Sequence, residues 1–253
     1  MFAICNLAIV PLRFEPSDRS ELVSQVLFGE HFKILEQTEK WSRIQLAFDG
    51  YEGWVDNKQF QPISEANYNL LSASPLVMNA DLVEYITTPN NYLMPIPLGS
   101  SLAFLDNPEI NLAQYSFEGM KVCGIKAKPE LIRTAFMYLN APYLWGGKTP
   151  FGIDCSGFTQ MVYQLNGHKL LRDASQQATQ GEALSFIEES EPGDLAFFDN
   201  EEGRIIHVGM IMENNYIIHA HGKVRIDRLD HLGIYNVDTG RHTHKLRVIK
   251  KII

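Results

Sequence analysis

A cysteine at position 155 has neighbours that suit nucleophilic chemistry. Cys155 lies between Asp154 and Ser156, and apolar residues at helical spacing predict a helix from Ser156 to Leu165. A helix N-terminus favours the thiolate, which is the nucleophilic form of cysteine. Its backbone N–H groups, including that of Cys155, can also stabilise a developing oxyanion. Because polar residues flank it, we predict that Cys155 is a nucleophile and not a structural cysteine.

The other two cysteines, Cys5 and Cys123, have apolar surroundings in the sequence. We expect both to be small buried hydrophobic residues. Three scattered cysteines are too few for a disulfide framework.

A thiolate nucleophile needs a base, and histidine is the usual one. Of the eight histidines, His207 begins one β-rich run and His219 ends the next. The segment 213–215 between them can form a tight turn, and two antiparallel strands would then bring both imidazoles to one end of a sheet. The second imidazole would orient the first through its other ring nitrogen. An ordinary surface or core role is expected for His31, His168, His231, His242 and His244.

Two pairs of alternate histidines raise the rival possibility of a metal enzyme. His219 and His221, like His242 and His244, could each present two imidazoles on one face of a strand. Neither pair is accompanied by a carboxylate or a Cys-x-x-Cys at ligand spacing. We therefore predict neither a metal nor a cofactor.

The part of the chain that must position these groups, residues 125–253, is predicted to form an α+β domain. Lys128-Pro129-Glu130 places proline in the first turn of one helix. The helix after Cys155 carries a buried stripe, made up of Phe158, Met161, Val162 and Leu165. Strands are predicted at Asp194–Phe198, His207–Met212, Tyr216–Ala220 and Leu246–Ile253. Helices followed by strands in this order indicate helices packed on an antiparallel sheet.

Two small β domains are predicted ahead of it. Residues 1–62 consist of short β-rich runs separated by turns, which is typical of a small barrel. Residues 63–124 contain weaker β-rich runs that start at Asp81, Tyr92, Ser101 and Gln114. With predicted turns at 89–91 and 106–108, they indicate a second, degraded small barrel.

The composition limits the partners and the location. An apolar fraction of 45% is ordinary for a globular protein, and a formal charge of −8 is unfavourable for nucleic-acid binding. No apolar run approaches the length of a membrane-spanning helix. Met1–Val10 lacks the basic start of an export signal. We therefore expect a cytoplasmic protein with no nucleic-acid or membrane partner.

From about Pro129 to its end, the chain resembles the NlpC-type family of papain-like cysteine peptidases. The resemblance is carried by motifs in the family's order, which begin at Tyr143 (Tyr-Leu-Trp-Gly-Gly), Asp154 (Asp-Cys-Ser-Gly-Phe), Arg172 (Arg-Asp-Ala-Ser-Gln-Gln), Glu191 (Glu-Pro-Gly-Asp-Leu-Ala-Phe-Phe), His207 (His-Val-Gly) and His219. It implies a papain-like catalytic domain with a triad of Cys155, His207 and His219.

Residues 1–62 resemble a bacterial SH3 domain, through Pro11-Leu12-Arg13, Gly29-Glu30, Trp41 and Gly50-Tyr51-Glu52-Gly53-Trp54-Val55. This pairing of domains is similar to that of the γ-D-glutamyl-L-diamino acid endopeptidases. The resemblance implies that the substrate is a murein-derived peptide, L-Ala-γ-D-Glu-diamino acid, with a free amino terminus. It also implies substrate-binding roles for Tyr51, Asp154 and Ser156, with Asp173 as a further candidate.

Three other functions remain open at this point. A peptidoglycan hydrolase could act on the intact cell wall through the same catalytic residues. A non-catalytic wall-binding protein would also use SH3-like domains, although the complete set of Cys155, His207 and His219 argues against it. An acyltransferase could be built on the same papain-like core.

Overall fold

A computed structural model of the chain describes residues 1–105, 107, 109–110, 112 and 114–253. These residues divide into two compact units, which we describe separately. The first unit is Met1–Ile125 with Trp145–Pro150, and the second is Lys126–Leu144 with Phe151–Ile253. The predicted turn at 106–108 includes two residues outside the described part. The predicted domain boundaries at residues 62 and 124 stay predictions.

The amino-terminal part of the first unit is an antiparallel sheet of seven short strands. They are β1 (Phe2–Ile4), β2 (Ile9–Arg13), β3 (Leu22–Leu27), β4 (His31–Gln37), β5 (Trp41–Leu46), β6 (Glu52–Asp56) and β7 (Gln61–Ile63). Their order in the sheet is β3-β2-β6-β5-β4-β1-β7. Alternate residues point inward, and the buried apolar cluster that they form includes Val10, Leu12, Phe32, Ile44 and Val55.

The rest of the first unit has its own apolar cluster, which includes Phe28, Ile86, Ile96 and Leu102. Its elements are α1 (Glu65–Ala73), β8 (Val77–Asn79), β9 (Val83–Thr87), β10 (Leu93–Pro97), β11 (Ser116–Phe117) and β12 (Lys121–Cys123). Helix α1 was not predicted, although Ser64 caps it by accepting a hydrogen bond from the Asn67 N–H. The predicted strand from Ser101 is wrong, because that run forms turns.

Six residues from the middle of the sequence, Trp145–Pro150, belong to the first unit. They include the short strand β13 (Lys148–Thr149). The Lys148 ammonium lies 2.9 Å from a carboxylate oxygen of Glu30, and both side chains are buried. The backbone N–H of Lys148 donates to Gln25, and the Trp145 indole N–H donates to Glu21. A buried ion pair therefore holds this segment within the first unit.

The second unit packs helices against an antiparallel sheet. Its helices are α2 (Pro129–Phe136), α3 (Cys155–Leu165) and α4 (Ala174–Gln177). Its strands are β14 (Gly152–Ile153), β15 (Glu182–Leu184), β16 (Leu195–Asp199), β17 (Ile205–Met212), β18 (Tyr216–His221), β19 (Lys223–Asp230), β20 (Gly233–Asn236) and β21 (Arg241–Lys251). The sheet order is β15-β21-β16-β17-β18-β19-β20, and β21 also pairs with β20. The predicted α+β class is confirmed.

Helix α3 is the central element of the second unit, because it packs against β17 and β18. Every one of its residues is buried, from Cys155 to Leu165. The sequence predicted a single buried stripe, and that prediction was too narrow. None of the helices formed by the described residues is long and apolar enough to cross a membrane.

Candidate active site

Cys155 is the first residue of α3, and its environment keeps the thiol neutral. Asp154 caps the helix by accepting a hydrogen bond from the Gly157 N–H at 2.6 Å. Burial raises the pKa of Cys155 to about 12, and the negative charge of Asp154 acts in the same direction. Backbone hydrogen bonds from Val208 and Ser156 favour the thiolate but do not outweigh burial. The stabilising effect of the helix N-terminus is therefore insufficient to ionise the resting thiol.

The two predicted partner histidines meet at one end of the β17–β18 hairpin. The predicted hairpin is confirmed, with Met210 opposite Ile218 and a turn at Glu213–Asn215 in which Asn214 and Asn215 have positive φ. The ring nitrogen Nε2 of His207 lies 2.8 Å from Nδ1 of His219. Both side chains are buried. This distance and burial are those of a strong hydrogen bond shielded from water.

Gly209 allows the two strands to approach closely at this point. A Cβ atom on Gly209 would lie 2.9 Å from the Cβ of His219 and 2.7 Å from Cδ1 of Ile217. Ordinary contacts of this kind are 3.4–4 Å. The absence of a side chain at position 209 therefore creates the space that His219 occupies.

A buried carboxylate lies behind His219. Oδ2 of Asp227 lies 3.0 Å from Nε2 of His219 and 2.7 Å from Nε of Arg225. Oδ1 accepts hydrogen bonds from Arg225 Nη2 and from the Val237 N–H, both at 3.0 Å. Burial alone would raise the pKa of Asp227, but these hydrogen bonds outweigh it and hold the pKa well below its usual range. Asp227 is therefore an anion with His219 as one of its donors.

Burial lowers the pKa of both histidines. It holds the pKa of His207 well below its usual range, and the charges of the neighbouring histidines add to the effect. Burial also lowers the pKa of His219, although the hydrogen bond to Asp227 opposes this. Both imidazoles are consequently neutral near pH 7.

His244 stacks on His207, with ring centroids 4.2 Å apart and ring planes inclined by 25°. His221 lies edge-on to His244 at 4.8 Å. We expected an ordinary role for His244, and the structure instead packs it against a ring of the site. Within the described ranges, no group of three or more His, Cys, Asp or Glu side chains could hold a metal ion.

The residues on either side of Cys155 are tied to a buried arginine. Arg172 is 1% exposed and binds both carboxylate oxygens of Asp154, at 3.0 and 2.7 Å. The same guanidinium donates to Ser156 Oγ at 3.0 Å, and this hydroxyl donates to Asp154 at 3.3 Å. Bidentate pairs of this kind are strong and directional. The hydrogen bonds among Asp154, Ser156 and Arg172 fix the first turn of α3.

The remaining predicted substrate-binding residues are Asp173 and Tyr51. Asp173 precedes α4, and its backbone N–H donates to the Gln176 side chain at 3.1 Å. Tyr51 is half-buried in the first unit and packs against that unit's apolar cluster. Binding roles for both residues stay predictions.

Two predictions about the other cysteines have different outcomes. Cys5 is buried, as predicted, and burial raises the pKa of its thiol to about 12. Cys123 is exposed, so its prediction as a buried residue was wrong. Cys123 lies on the short strand β12, which pairs only with β8 among the described strands.

Sequence reasoning missed Asp227, Arg172 and His244. Arg172 begins a noted motif, but an arginine is rarely fully buried, and nothing in the motif indicates its partner. Asp227 stands two residues before the buried Leu229 on β19, so both face inward. An acidic residue at an inward position of a strand was a usable signal, which was missed because β19 was not predicted.

Comparisons with known proteins agree with this arrangement. Residues 140–245 match the model of the NlpC/P60 family, and residues 12–60 match that of the bacterial dipeptidyl-peptidase Sh3 domain. A γ-D-glutamyl-L-lysine dipeptidyl-peptidase from Bacillus cereus is 26% identical, over 81% of this chain and 68% of the relative. Dipeptidyl-peptidase 6 from Lysinibacillus sphaericus is 27% identical, over 91% of this chain and 92% of the relative.

A solved structure supports the fold. An NlpC/P60 family protein from Bacillus cereus superposes with a TM-score of 0.82, at 19% identity, over 100% of this chain and 99% of the other. This similarity establishes a shared fold across the whole chain. With the two family matches, it confirms the predicted papain-like fold and the SH3-like region ahead of it.

Proposed function

We propose that this chain, which carries an NlpC/P60 peptidase domain and a bacterial dipeptidyl-peptidase SH3 domain, is a cysteine endopeptidase of murein peptides. The scissile bond joins the γ-carboxyl of D-glutamate to an L-diamino acid, and the substrate has a free amino-terminal L-alanine. Two relatives that are named dipeptidyl-peptidases support this proposal, one of them for a γ-D-glutamyl-L-lysine bond. Because such a substrate is a released peptide, we place the activity in cytoplasmic murein recycling.

The observation that carries the proposal is the hydrogen bond between His207 and His219 beside the helix that begins at Cys155. The backbone of Val208, the residue after His207, hydrogen-bonds to the Cys155 sulfur. This contact brings the thiol to the strand that carries the base. This arrangement supports the proposed roles of Cys155 as nucleophile, His207 as base and His219 as orienting group.

The catalytic step begins with a neutral thiol and a neutral imidazole. Cys155 Sγ attacks the γ-carbonyl carbon of D-glutamate while the thiol proton passes to His207. The oxyanion is stabilised at the start of α3, where the Cys155 N–H has no intrahelical acceptor. The imidazolium then protonates the departing amino group as the C–N bond breaks, which leaves a γ-glutamyl thioester. Water, activated by His207, releases the dipeptide and restores the thiol.

Recognition of the free amino terminus is assigned to Asp154, and the substrate-binding role of Tyr51 stays a prediction. The Asp154 carboxylate accepts from Arg172, Ser156 Oγ and the Gly157 N–H, and its negative charge would attract the substrate ammonium. Ser156 is positioned by the same arginine and can contact the substrate backbone. A charge-assisted hydrogen bond to the ammonium is worth roughly 1.5–3 kcal/mol. N-acylation would remove that charge and enlarge the group.

The test compares three substrates by mass spectrometry: the free tripeptide L-Ala-γ-D-Glu-diamino acid, its N-acetylated form and purified sacculi. We expect cleavage of the free tripeptide alone, and none after thiol alkylation or with Cys155→Ala. Comparable turnover of the acetylated peptide, or lysis of sacculi, would indicate a hydrolase of the intact wall. No cleavage of any substrate by the folded wild-type protein would indicate a binding protein and refute the proposal.

A further inference from the structure

The hydrogen bonds that join His207, His219 and Asp227 are compatible with one arrangement of protons. Asp227 is an anion and can only accept, so Nε2 of His219 carries the hydrogen. A neutral His219 then has an unprotonated Nδ1, which must accept from His207. Nε2 of His207 therefore carries its hydrogen. Nδ1 is left as the only nitrogen of His207 that can take up a proton.

The donors around Asp227 favour the carboxylate over a protonated carboxyl. A carboxylate offers about four acceptor sites, two on each oxygen. Oδ2 receives His219 Nε2 and Arg225 Nε, while Oδ1 receives Arg225 Nη2 and the Val237 N–H. The two Arg225 donors and the Val237 N–H keep their hydrogens in either tautomer of His219, and the guanidinium charge, with Nε 2.7 Å from Oδ2, stabilises the anion. The full set of donors keeps Asp227 in its accepting form.

We propose that Asp227 is a positioning residue that fixes the tautomers of both histidines and so makes Nδ1 of His207 the catalytic base. The inference rests on the proposed function, because it assigns an atom to the base of that reaction. Asp227 acts through His219 and is separated from the thiol by two imidazoles. The orienting group of this site is therefore the His219–Asp227 pair, with Arg225 and Val237 holding the carboxylate in place.

Asp227→Asn tests the proposal because the amide must turn its NH₂ group toward one set of donors. If the NH₂ group takes the position of the aspartate Oδ1, it meets two N–H groups, from Arg225 and Val237. If the NH₂ group takes the position of Oδ2, it meets only the Arg225 Nε–H. Nε2 of His219 can then accept from the NH₂ group, provided that the hydrogen of His219 moves to Nδ1. The second orientation has fewer donor–donor contacts. His219 would then donate to His207, whose hydrogen would move to Nδ1 and block the base.

The first measurement is ¹⁵N NMR of histidine-labelled full-length protein near pH 8, where both imidazoles are neutral. In the wild type we expect protonated Nε2 and unprotonated Nδ1 on both His207 and His219. In Asp227→Asn both assignments should reverse. Asp238→Asn is the matched control, because Asp238 is exposed and binds the same Arg225 without touching a histidine. It should retain the wild-type tautomers. A wild-type His207 protonated at Nδ1 would overturn the proposal even if the Asp227 variant failed to fold.

The second measurement is steady-state cleavage of the free tripeptide. Asp227→Asn should lower kcat by about 10²–10⁴-fold, the usual range for loss of a general base, with KM little changed. Asp238→Asn should keep wild-type kcat. An Asp227→Asn protein with reversed tautomers and full activity would overturn the proposal, as would unchanged tautomers. If the wild-type protein cleaved no murein peptide, the proposed function would fail, and the tautomers alone would decide the role of Asp227.

Discussion

Replacing Gly209 with alanine should displace His219 and reduce activity more than it reduces stability. The added Cβ would lie 2.9 Å from the His219 Cβ and 2.7 Å from Cδ1 of Ile217. Ordinary contact begins at 3.4 Å, so His219 must retreat by about 0.5 Å. If that movement lay along the hydrogen bond to His207, the 2.8 Å distance would approach ~3.3 Å, beyond the usual range.

The expected magnitudes follow from these distances. Overpacking a core by one methyl group costs about 1–3 kcal/mol of unfolding free energy. A misplacement of ~1 Å at a catalytic group can cost 10²-fold in rate, so a shift of half that size should lower kcat roughly 10-fold. The stability loss should be measurable by urea unfolding, and the kcat loss by mass-spectrometric assay of the free tripeptide.

Two further variants separate displacement of His219 from general destabilisation. Gly203→Ala introduces strain, because Gly203 has φ of +77°, but its Cβ would contact nothing within 4 Å. It should lose about 1 kcal/mol and keep its activity. Ile217→Val removes the contact between the added Cβ and Cδ1 of Ile217, but it leaves the contact between the added Cβ and the Cβ of His219. It should cost less stability in the Gly209→Ala background than in the wild type, without restoring activity.

Wild-type kcat in Gly209→Ala, with no greater loss of stability than in Gly203→Ala, would refute the displacement of His219. The same conclusion would follow if Ile217→Val restored the activity of Gly209→Ala, because the contact with His219 would then not be responsible. Either result would mean that the strands separate without moving the imidazole.

Three other predictions concern charge. Because burial raises the pKa of Cys155 to about 12, the rate of its alkylation by iodoacetamide, measured in a Cys123→Ser background, should rise from about pH 7 to about pH 10. A rate that reaches a plateau below ~pH 8 would contradict a neutral resting thiol. Arg172→Met should cost roughly 3–5 kcal/mol in urea unfolding, because it removes the guanidinium that neutralises the buried Asp154 carboxylate. Asp154→Asn should recover part of that loss, and additive losses in the double variant would argue against the ion pair. Burial lowers the pKa of the His207, His219 and His31 side chains, the last to about 4, so the unfolded chain binds more protons than the folded chain below about pH 6.5. The free energy of unfolding should therefore fall from pH 6.5 toward pH 4, by at most about 1.4 kcal/mol per pH unit for each histidine. Urea unfolding that is independent of pH over this window would contradict the buried neutral state.

The parts of the site that sequence analysis predicted are those set by local pattern. Helical spacing after Cys155 predicted α3 to within one residue of its observed start. The turn at Glu213–Asn215 predicted the hairpin, and antiparallel pairing of its two strands then placed His207 and His219 at the same end. These predictions depend on residues close together in sequence.

The parts that were missed depend on residues distant in sequence. The ion pair of Arg172 with Asp154, and the stacking of His244 on His207, arise from tertiary packing that no short motif contains. The neutral state of Cys155 also depends on burial by the whole unit, whereas the helix N-terminus alone favoured a thiolate. Local pattern predicts which groups meet, and their surroundings determine how they are charged.

The buried pair of Lys148 and Glu30 bears on the order in which the chain folds during synthesis. Residues emerge from the ribosome from the amino terminus onward, and domains usually fold as they become complete. The first unit includes Trp145–Pro150, so at residue 125 Glu30 still lacks the ammonium that neutralises it. An unpaired charge in that place costs roughly 3–5 kcal/mol. The amino-terminal unit should therefore reach its full stability only after α2 and the following loop have been translated, which delays its completion until shortly before α3 is synthesised.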